Sequence, residues 1–191
     1  MKWSILIVTI PRRREKLKEL LNLLKPQLIP YLDVEVVAKE REHSLSLGQF
    51  RHRMIEHSKA QYVSFIDDDD LVAEDYVSQI YPKLDGVDQV GFKLHYYQDG
   101  HLQCMVYHDL RAGGWHGHPN LALYRDFSRF NVIRRDLLLQ LTEHSTVDAN
   151  EDGDFANSLR KLDIVKTQHF VPEVMYFYLC NNQDSIQKVR A

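Results

Sequence analysis

Four consecutive aspartates, Asp67 to Asp70, directly follow an apolar run at residues 62–66. The run is rich in aromatic and β-branched side chains, which predicts a short buried strand. Adjacent carboxylates repel one another unless a positive charge lies among them. Because open α/β sheets bind ligands beyond the carboxyl ends of their strands, the pattern indicates a divalent cation with an anionic ligand behind it. The alternative is a solvated acidic turn that begins the next helix, a role that suits Asp70 best.

A second acidic pair, Glu151-Asp152, precedes a predicted helix at residues 153–162. A carboxylate in this place acts as a general base when a substrate hydroxyl comes within hydrogen-bond reach. Taken alone, the pair is better explained as an ordinary acidic helix start.

Basic side chains precede the acidic strand, since Arg51 and Arg53 belong to a predicted helix at residues 44–59. They either pair with phosphate or carboxylates, or form a solvated basic face. His116 and His118 alternate in a loop at 111–120 that is rich in glycine and histidine. No third ligand has the spacing of a zinc site, so the sequence does not favour zinc there.

The bulk properties describe one ordinary domain of 191 residues with a net charge of −3. That charge gives no global basic field for binding nucleic acid or an anionic membrane. Cys104 and Cys180 have neither disulfide-framework nor metal-site spacing, so we expect reduced thiols and a cytoplasmic location. The apolar stretch at residues 1–10 is too short to span a membrane, and its arginines follow it, so it predicts a first strand and no signal peptide.

The elements that must position these residues alternate over the first 85 residues, as in a doubly wound nucleotide-binding half. Strands are predicted at residues 4–9, 34–37 and 62–66, and helices at 17–28, 44–59 and 72–84. After residue 85, Asp99-Gly100 predicts a hairpin between strands at 89–97 and 101–108. Further predicted elements are strands at 130–133, 164–167 and 174–179 and helices at 136–141 and 153–162.

The order of these pieces resembles the family 2 glycosyltransferases with the GT-A fold. Their first strand ends in a Thr-Tyr-Asn-Arg-like turn, a Gly…Ala-Arg-Asn stretch and an Ala-x-Gly-Glu-Tyr-Ile stretch follow, a later strand ends in Asp-x-Asp-Asp, and a Glu-Asp pair precedes a late helix. The counterparts here are Thr9-Ile10-Pro11-Arg12, Gly48 with Arg51-His52, residues 58–63, Asp67 to Asp70, and Glu151-Asp152. The resemblance covers residues 3–84 well and 130–180 loosely.

The resemblance implies a mixed, mainly parallel sheet flanked by helices, in one domain over residues 1–191. Residues 1–85 would form the nucleotide-binding half and 86–191 the acceptor-binding half. The activity it implies is transfer of a sugar, with inversion, from a nucleotide-diphosphate donor to a hydroxyl of a glycan or other acceptor, with Mn²⁺ or Mg²⁺ as cofactor.

The resemblance also implies roles for single residues. Asp152 would be the catalytic base, and Asp69 would coordinate the metal. Asp67 and Asp68 would lie near the ribose and diphosphate, and Arg51 would help to hold the nucleotide-binding region. The remaining nucleotide-binding residues would be those of the first turn, Thr9, Pro11 and Arg12, of which Thr9 and Pro11 would border the base. The acceptor would lie between Asp152 and the loop that carries Trp115.

The sequence departs from the family pattern in three places. Only Glu40 could replace the acidic residue that usually contacts the base after the second strand, and His52 stands where the family has Asn. A late histidine that often binds metal or diphosphate has no clear match, although Asn181 and His169 lie near its place.

Three other functions stay open. A nucleotidyltransferase would usually carry a glycine-rich phosphate loop after the first strand, and residues 11–14 contain no glycine. A non-catalytic module that binds a nucleotide sugar or glycan could retain the same fold. A sugar transferase that acts on nucleic acid is permitted by the local arginine cluster but gains no support from the net charge.

Overall fold

The computed structural model describes residues 1–42, 44–142 and 150–180. The first half of the chain contains β1 (Trp3–Thr9), α1 (Arg14–Leu28), β2 (Val34–Glu40), α2 (Leu47–His57), β3 (Tyr62–Phe65), β4 (Leu71–Val72) and α3 (Tyr76–Ile80). The second half contains β5 (Gln89–Gln98), β6 (His101–His108), β7 (His116–His118), β8 (Ala122–Arg125), β9 (Val132–Arg134), α4 (Arg135–Leu138), α5 (Glu151–Leu162) and β10 (Gln168–Cys180).

The described strands form one sheet in the order β2-β1-β3-β9-β5-β6-β8-β7, and β10 pairs with both β5 and β4. Strand β1 runs parallel to β2 on one side and to β3 on the other. This arrangement confirms the alternating strand and helix pattern that the first 85 residues predicted. Since parallel strands expose their carboxyl ends at the same edge, the ends of β1 and β3 lie together.

Helices cover both faces of the sheet because side chains alternate along each strand. Ile5 of β1 packs in one apolar cluster with Leu24 of α1. The neighbouring residue, Leu6, packs in a second cluster with Phe50 of α2 and Phe155 of α5. Among the described residues, no helix is long and apolar enough to cross a membrane.

Helix α2 begins later than the sequence predicted, because Ser46 caps it. The Ser46 side chain accepts a hydrogen bond from the Gln49 amide at 3.2 Å, and the Gln49 side chain accepts one from the Ser46 amide at 3.0 Å. This reciprocal pair is a capping box, which fixes the helix start at Leu47.

The predicted helix at 72–84 is wrong over much of its length. Val72 pairs with Tyr176 in the antiparallel contact between β4 and β10. Only α3 is α-helical, and Pro82 lies in the 3₁₀ turn that follows it. Val72 belongs to the sheet, and Pro82 lacks the backbone N–H that would donate a helical hydrogen bond. The apolar spacing therefore predicted a longer helix than the one that forms.

The predicted hairpin is confirmed, with Asp99 and Gly100 at φ values of 49° and 81° as its tight turn requires. Strand β10 follows β5 in parallel over the whole length of β5, so it is longer than the predicted strand at 174–179. The predicted strand at 164–167 is wrong, since these residues have no ladder partner. The predicted strand at 130–133 and the predicted helices at 136–141 and 153–162 are confirmed, with their ends shifted.

The loop at 111–120 contains structure that the sequence did not predict. Strand β7 lies within it and pairs with β8, which in turn runs parallel to β6. Gly117 permits this pairing, because it has a φ of 115° and a Cβ there would lie 2.2 Å from the Ala122 carbonyl oxygen. Strand β8 thereby places its last residue, Arg125, beside the predicted site.

Candidate functional site

The carboxyl ends of β1, β3 and β10 and the start of α5 surround a cleft with a volume of about 430 Å³. Most of the predicted site residues lie in its wall. They are Thr9, Arg51, Asp67, Asp68, Asp69 and Asp152. These residues lie far apart in the sequence, and the fold brings them into the wall of one cavity.

Arg13 is the positive charge beside the aspartates that follow β3. Its guanidinium lies 2.8 Å from the carboxylate of Asp68 and 2.8 Å from that of Asp69. Asp68 also accepts a hydrogen bond of 2.7 Å from the Thr9 hydroxyl, and it is only 2% exposed. The charge repulsion expected within the acidic cluster is therefore offset partly from inside the chain.

Sequence reasoning chose Arg12 and missed Arg13, although both belong to the same basic cluster. The 3₁₀ turn Pro11–Arg13 buries Arg13 and leaves Pro11 and Arg12 exposed, outside the cleft lining. Glu40 is also outside the lining, and its carboxylate lies 3.7 Å from the Arg14 guanidinium. The roles of Pro11, Arg12 and Glu40 stay predictions.

Arg51 connects the two acidic segments. Its guanidinium lies 2.5 Å from Asp67, 2.7 Å from Glu151 and 3.3 Å from Asp152. Arg129 contacts the same pair from the other side, 2.5 Å from Glu151 and 3.7 Å from Asp152. Arg129 precedes β9 in a segment without a periodic pattern, so the sequence offered no signal for it.

The two acidic residues at the start of α5 have different environments. Burial acts to raise the pKa of Asp152, but Arg51 and Arg129 outweigh it and hold that pKa below the ordinary value. Burial raises the pKa of Glu151, against the attraction of the same two arginines. The Asp152 side chain is 45% exposed and that of Glu151 is 3% exposed. Asp152 is thus an ionised carboxylate facing the cleft, and Glu151 holds the arginines in place.

Asp69 has the chemistry of a cation ligand. Burial raises its pKa to about 6, and the neighbouring Asp67 and Asp68 add to the rise while Arg13 opposes it. Its side chain remains 18% exposed. Such a carboxylate gains from an added positive charge.

Asp70 does not begin a helix, contrary to expectation. It is buried and accepts hydrogen bonds of 2.7 Å from the Tyr176 hydroxyl and 2.7 Å from the Leu179 amide. The Tyr176 hydroxyl in turn accepts a bond of 3.1 Å from the Asp67 amide. Asp70 therefore attaches the end of β10 to the acidic turn.

The described residues could hold a divalent cation only if the cation also has a ligand from outside the chain, such as a phosphate group. Among them, no three His, Cys, Asp or Glu side chains are arranged to hold a metal ion. Asp69 supplies one hard oxygen ligand at the cleft, and Mg²⁺ and Mn²⁺ commonly use one or two carboxylates with phosphate oxygens. A cation bound by a diphosphate would thus find a partner in Asp69.

The other residues named from the sequence lie in different places. Trp115 is in the cleft wall, whereas His116 and His118 are exposed and outside it. His169 lies at the start of β10, where its ring contacts the Lys83 carbonyl at 2.7 Å, and the cleft adjoins the other end of that strand. Asn181 lies outside the described residues.

A second cavity, of about 390 Å³, lies at the beginning of β3, and its charged lining residues are engaged in contacts with the chain. Arg134 lies 2.5 Å from Asp136 and 3.1 Å from Asp88, and Arg135 donates hydrogen bonds of 2.8 Å to the carbonyls of residues 55 and 56. These contacts fix β9 against its neighbours and give the cavity a structural explanation.

No family model and no curated protein sequence matches the chain. The fold is similar to crystal structures of Staphylococcus aureus TarS. TarS 1–349 in complex with UDP-GlcNAc has a TM-score of 0.67 and 15% identity over 100% of this chain and 61% of that chain. The complex of TarS 1–349 with UDP has a TM-score of 0.65 and 18% identity over 94% and 60%.

The chain thus spans about 60% of the length of the TarS 1–349 structures that it resembles. At these identities the likeness concerns the fold, and the sheet order, the flanking helices and the cleft at the strand ends agree with it. The chain therefore has the GT-A fold, a mixed α/β architecture with a central sheet between layers of helices, as its sequence predicted.

Proposed function

We propose that this chain is a glycosyltransferase that moves a sugar from a nucleotide-diphosphate donor to an acceptor hydroxyl with inversion. One observation carries the proposal: the ionised Asp152 lines the same cleft as Asp67, Asp68 and Asp69. Two of the similar TarS structures are complexes with UDP-GlcNAc and with UDP, which supports a nucleotide sugar as the donor.

The donor would bind on the side of the cleft formed by residues 1–85. Thr9 would border the nucleobase, and Asp67 and Asp68 would lie near the ribose and diphosphate. Mn²⁺ or Mg²⁺, held by Asp69 and the diphosphate, would offset the charge that develops on the leaving group. Arg13 and Arg51 keep the acidic turn in place while the donor enters, because they hold its carboxylates from within.

The acceptor would bind on the side formed by residues 86–191, between Asp152 and Trp115. Asp152 would take the proton from the acceptor hydroxyl as that oxygen attacks the anomeric carbon. The bond from that carbon to the diphosphate oxygen breaks on the opposite face, so the product has the inverted configuration. Arg51 and Arg129 lower the pKa of Asp152, which keeps its carboxylate ionised and able to accept a proton but also makes it a weaker base.

The same arrangement supports an enzyme over a non-catalytic binding module. Binding alone would need only the acidic turn, whereas a separate carboxylate is positioned in the same cleft by two buried arginines, Arg51 and Arg129. We propose that the reaction takes place in the cytoplasm on one domain, with the donor and acceptor halves as defined above.

Thermal shift measurements test the proposal directly. UDP, GDP, CDP and TDP sugars are added with and without Mn²⁺, and one nucleotide class should raise the melting temperature by mass action. Mn²⁺ should increase that shift in the wild-type protein and not in Asp69→Asn. Asp85→Asn, which removes an exposed carboxylate bonded only to Lys2 among the described contacts, serves as the matched control.

For the donor that stabilises the protein, turnover is then measured as the release of its nucleoside diphosphate. If no donor stabilises the protein with or without Mn²⁺, the proposed function is wrong.

A further inference from the structure

Arg125 and Trp115 form a stacked pair in the wall of the cleft. The guanidinium carbon of Arg125 lies 4.4 Å from the centre of the Trp115 ring. The ring is itself fixed, because its Nε1 donates a hydrogen bond of 2.9 Å to the Phe127 carbonyl. Arg125 ends β8, and both residues line the cleft that also contains Asp152.

Arg125 is half-buried, and its charge differs from the buried arginine charges of the site. Arg13, Arg51 and Arg129 each contact at least one carboxylate within 2.8 Å. Arg125 has no hydrogen bond or salt bridge from its guanidinium to any residue in 1–42, 44–142 or 150–180. Burial lowers the pKa of this guanidinium, against the more distant attraction of Asp152. A cation held this way, without a close counterion, suits an anionic ligand.

We propose that Arg125, held over the face of the Trp115 ring, forms an anion-binding subsite of the cleft that takes a phosphate or carboxylate group. A guanidinium that stacks on an aromatic face keeps its N–H edge available for two parallel hydrogen bonds to an oxyanion. The subsite deepens the proposed function and rests on it. Two sources offer this chemistry: the diphosphate of the donor, and an anionic group carried by the acceptor.

The position of Arg125 on its strand supports the subsite. Side chains alternate along β8, so the preceding residue, Tyr124, faces away and stacks on Tyr107 with ring centres 5.0 Å apart. Tyr124 is outside the cleft lining, whereas Arg125 belongs to it. The pairing of β7 with β8 fixes this register, since Leu123 lies opposite Gly117.

Isothermal titration of Arg125→Gln and Arg125→Lys tests the subsite. Arg111→Gln is the matched control, because Arg111 is an exposed arginine in the same half that lies outside the cleft lining. One arm titrates UDP, GDP, CDP and TDP against the corresponding nucleosides. The other arm titrates glucose 6-phosphate and glucuronate against glucose. Melting temperatures of all variants report whether the fold is retained.

We expect Arg125→Gln to weaken one class of anion about tenfold or more, with the neutral probes unchanged and Arg125→Lys intermediate. Loss confined to the nucleoside diphosphates assigns the subsite to the donor. Loss confined to glucose 6-phosphate or glucuronate assigns it to an anionic acceptor.

Unchanged binding of both classes, or a wild-type protein that binds no anion, overturns the subsite. The proposed function fails separately, if the wild-type protein binds no nucleoside diphosphate. Anion binding that depends on Arg125 would in that case retain the subsite without the transferase.

Discussion

The guanidinium of Arg51 lies 2.7 Å from the carboxylate of Glu151, and the two residues are 100 positions apart in the sequence. Their side chains are only 5% and 3% exposed. The pair joins α2 to the start of α5, and the same guanidinium also reaches Asp67 and Asp152. One buried arginine thus sets the distance between the acidic turn and the candidate base.

Replacing Arg51 by Met should destabilise the fold strongly. The substitution leaves the buried Glu151 and the partly exposed Asp67 without their main countercharge, and breaking a buried pair from one side costs about 3–5 kcal/mol. The free energy of unfolding in urea measures the effect. The double variant Arg51→Met with Glu151→Gln should recover part of the loss, because it removes one of the stranded charges.

Arg53→Met is the control for Arg51→Met on the same helix. Arg53 pairs with Glu42 at 2.9 Å, but both side chains are about half exposed. Exposed pairs contribute roughly 0–1 kcal/mol, so this variant should unfold close to wild type. An equal loss in both arginine variants would contradict the special role of the Arg51 contacts.

Replacing Asp152 by Asn should abolish donor turnover in the presence of an acceptor and leave donor binding intact. The amide cannot accept the proton of the acceptor hydroxyl, and loss of a general base costs roughly 10²–10⁴ in rate. Asp154→Asn, two positions along the same helix turn, should retain activity because Asp154 does not line the cleft. Full turnover in Asp152→Asn with normal donor binding would exclude Asp152 as the base.

The sequence predicted the parts of the fold that depend on local pattern. The periodic spacing of apolar residues within 1–65 and the turn at Asp99-Gly100 were sufficient to predict the strands, helices and hairpin there, because each of these patterns depends only on residues close in sequence. The helix at 72–84 and the strand at 164–167 failed. Membership of a short strand such as β4 depends on pairing with β10, about a hundred residues away. Strand β8 was missed for the same reason, because the glycine-rich loop at 111–120 separates it in the sequence from its partner β6.

The candidate site was predictable only in part. The acidic turn at 67–70 and Asp152 carry chemistry that residue type and order reveal, and the fold brings them together. The arginines that hold them, Arg13 and Arg129, gave no distinct signal. Arg13 contacts Asp68, which is 55 positions further along the chain, and Arg129 contacts Glu151 at the start of α5. No local sequence pattern encodes such contacts.

Replacing Asp69 by Asn should stabilise the protein at neutral pH. The pKa of Asp69 is raised from 3.8 to about 6, so between these values the native state binds more protons than the unfolded state. The contribution of Asp69 to stability therefore falls as the pH rises through that window. At pH 7 the variant should be more stable by up to about 3 kcal/mol.

Urea unfolding of wild type and Asp69→Asn at intervals from pH 4 to pH 7.5 measures this dependence. The difference between them should shrink toward pH 4, where the wild-type carboxyl is protonated in the folded protein. A wild-type protein that is the more stable of the two across this range, and that loses no stability as the pH rises, would mean that the ion pair with Arg13 dominates the burial of Asp69 and that its pKa is lowered instead.

Replacing Arg13 by Met should expose the repulsion within the acidic turn. Arg13 is 8% exposed and contacts Asp68 and Asp69, so its loss leaves two adjacent carboxylates without their internal countercharge, at a cost of about 3–5 kcal/mol. A divalent cation bound at Asp69, as proposed, would supply positive charge from the cleft side in place of Arg13. Mn²⁺ should therefore raise the melting temperature of Arg13→Met more than that of wild type. Arg14→Met, which removes an exposed arginine 3.7 Å from Glu40, should show no such gain, and equal Mn²⁺ shifts in all three proteins would exclude Arg13 as the internal counterion of the cation site.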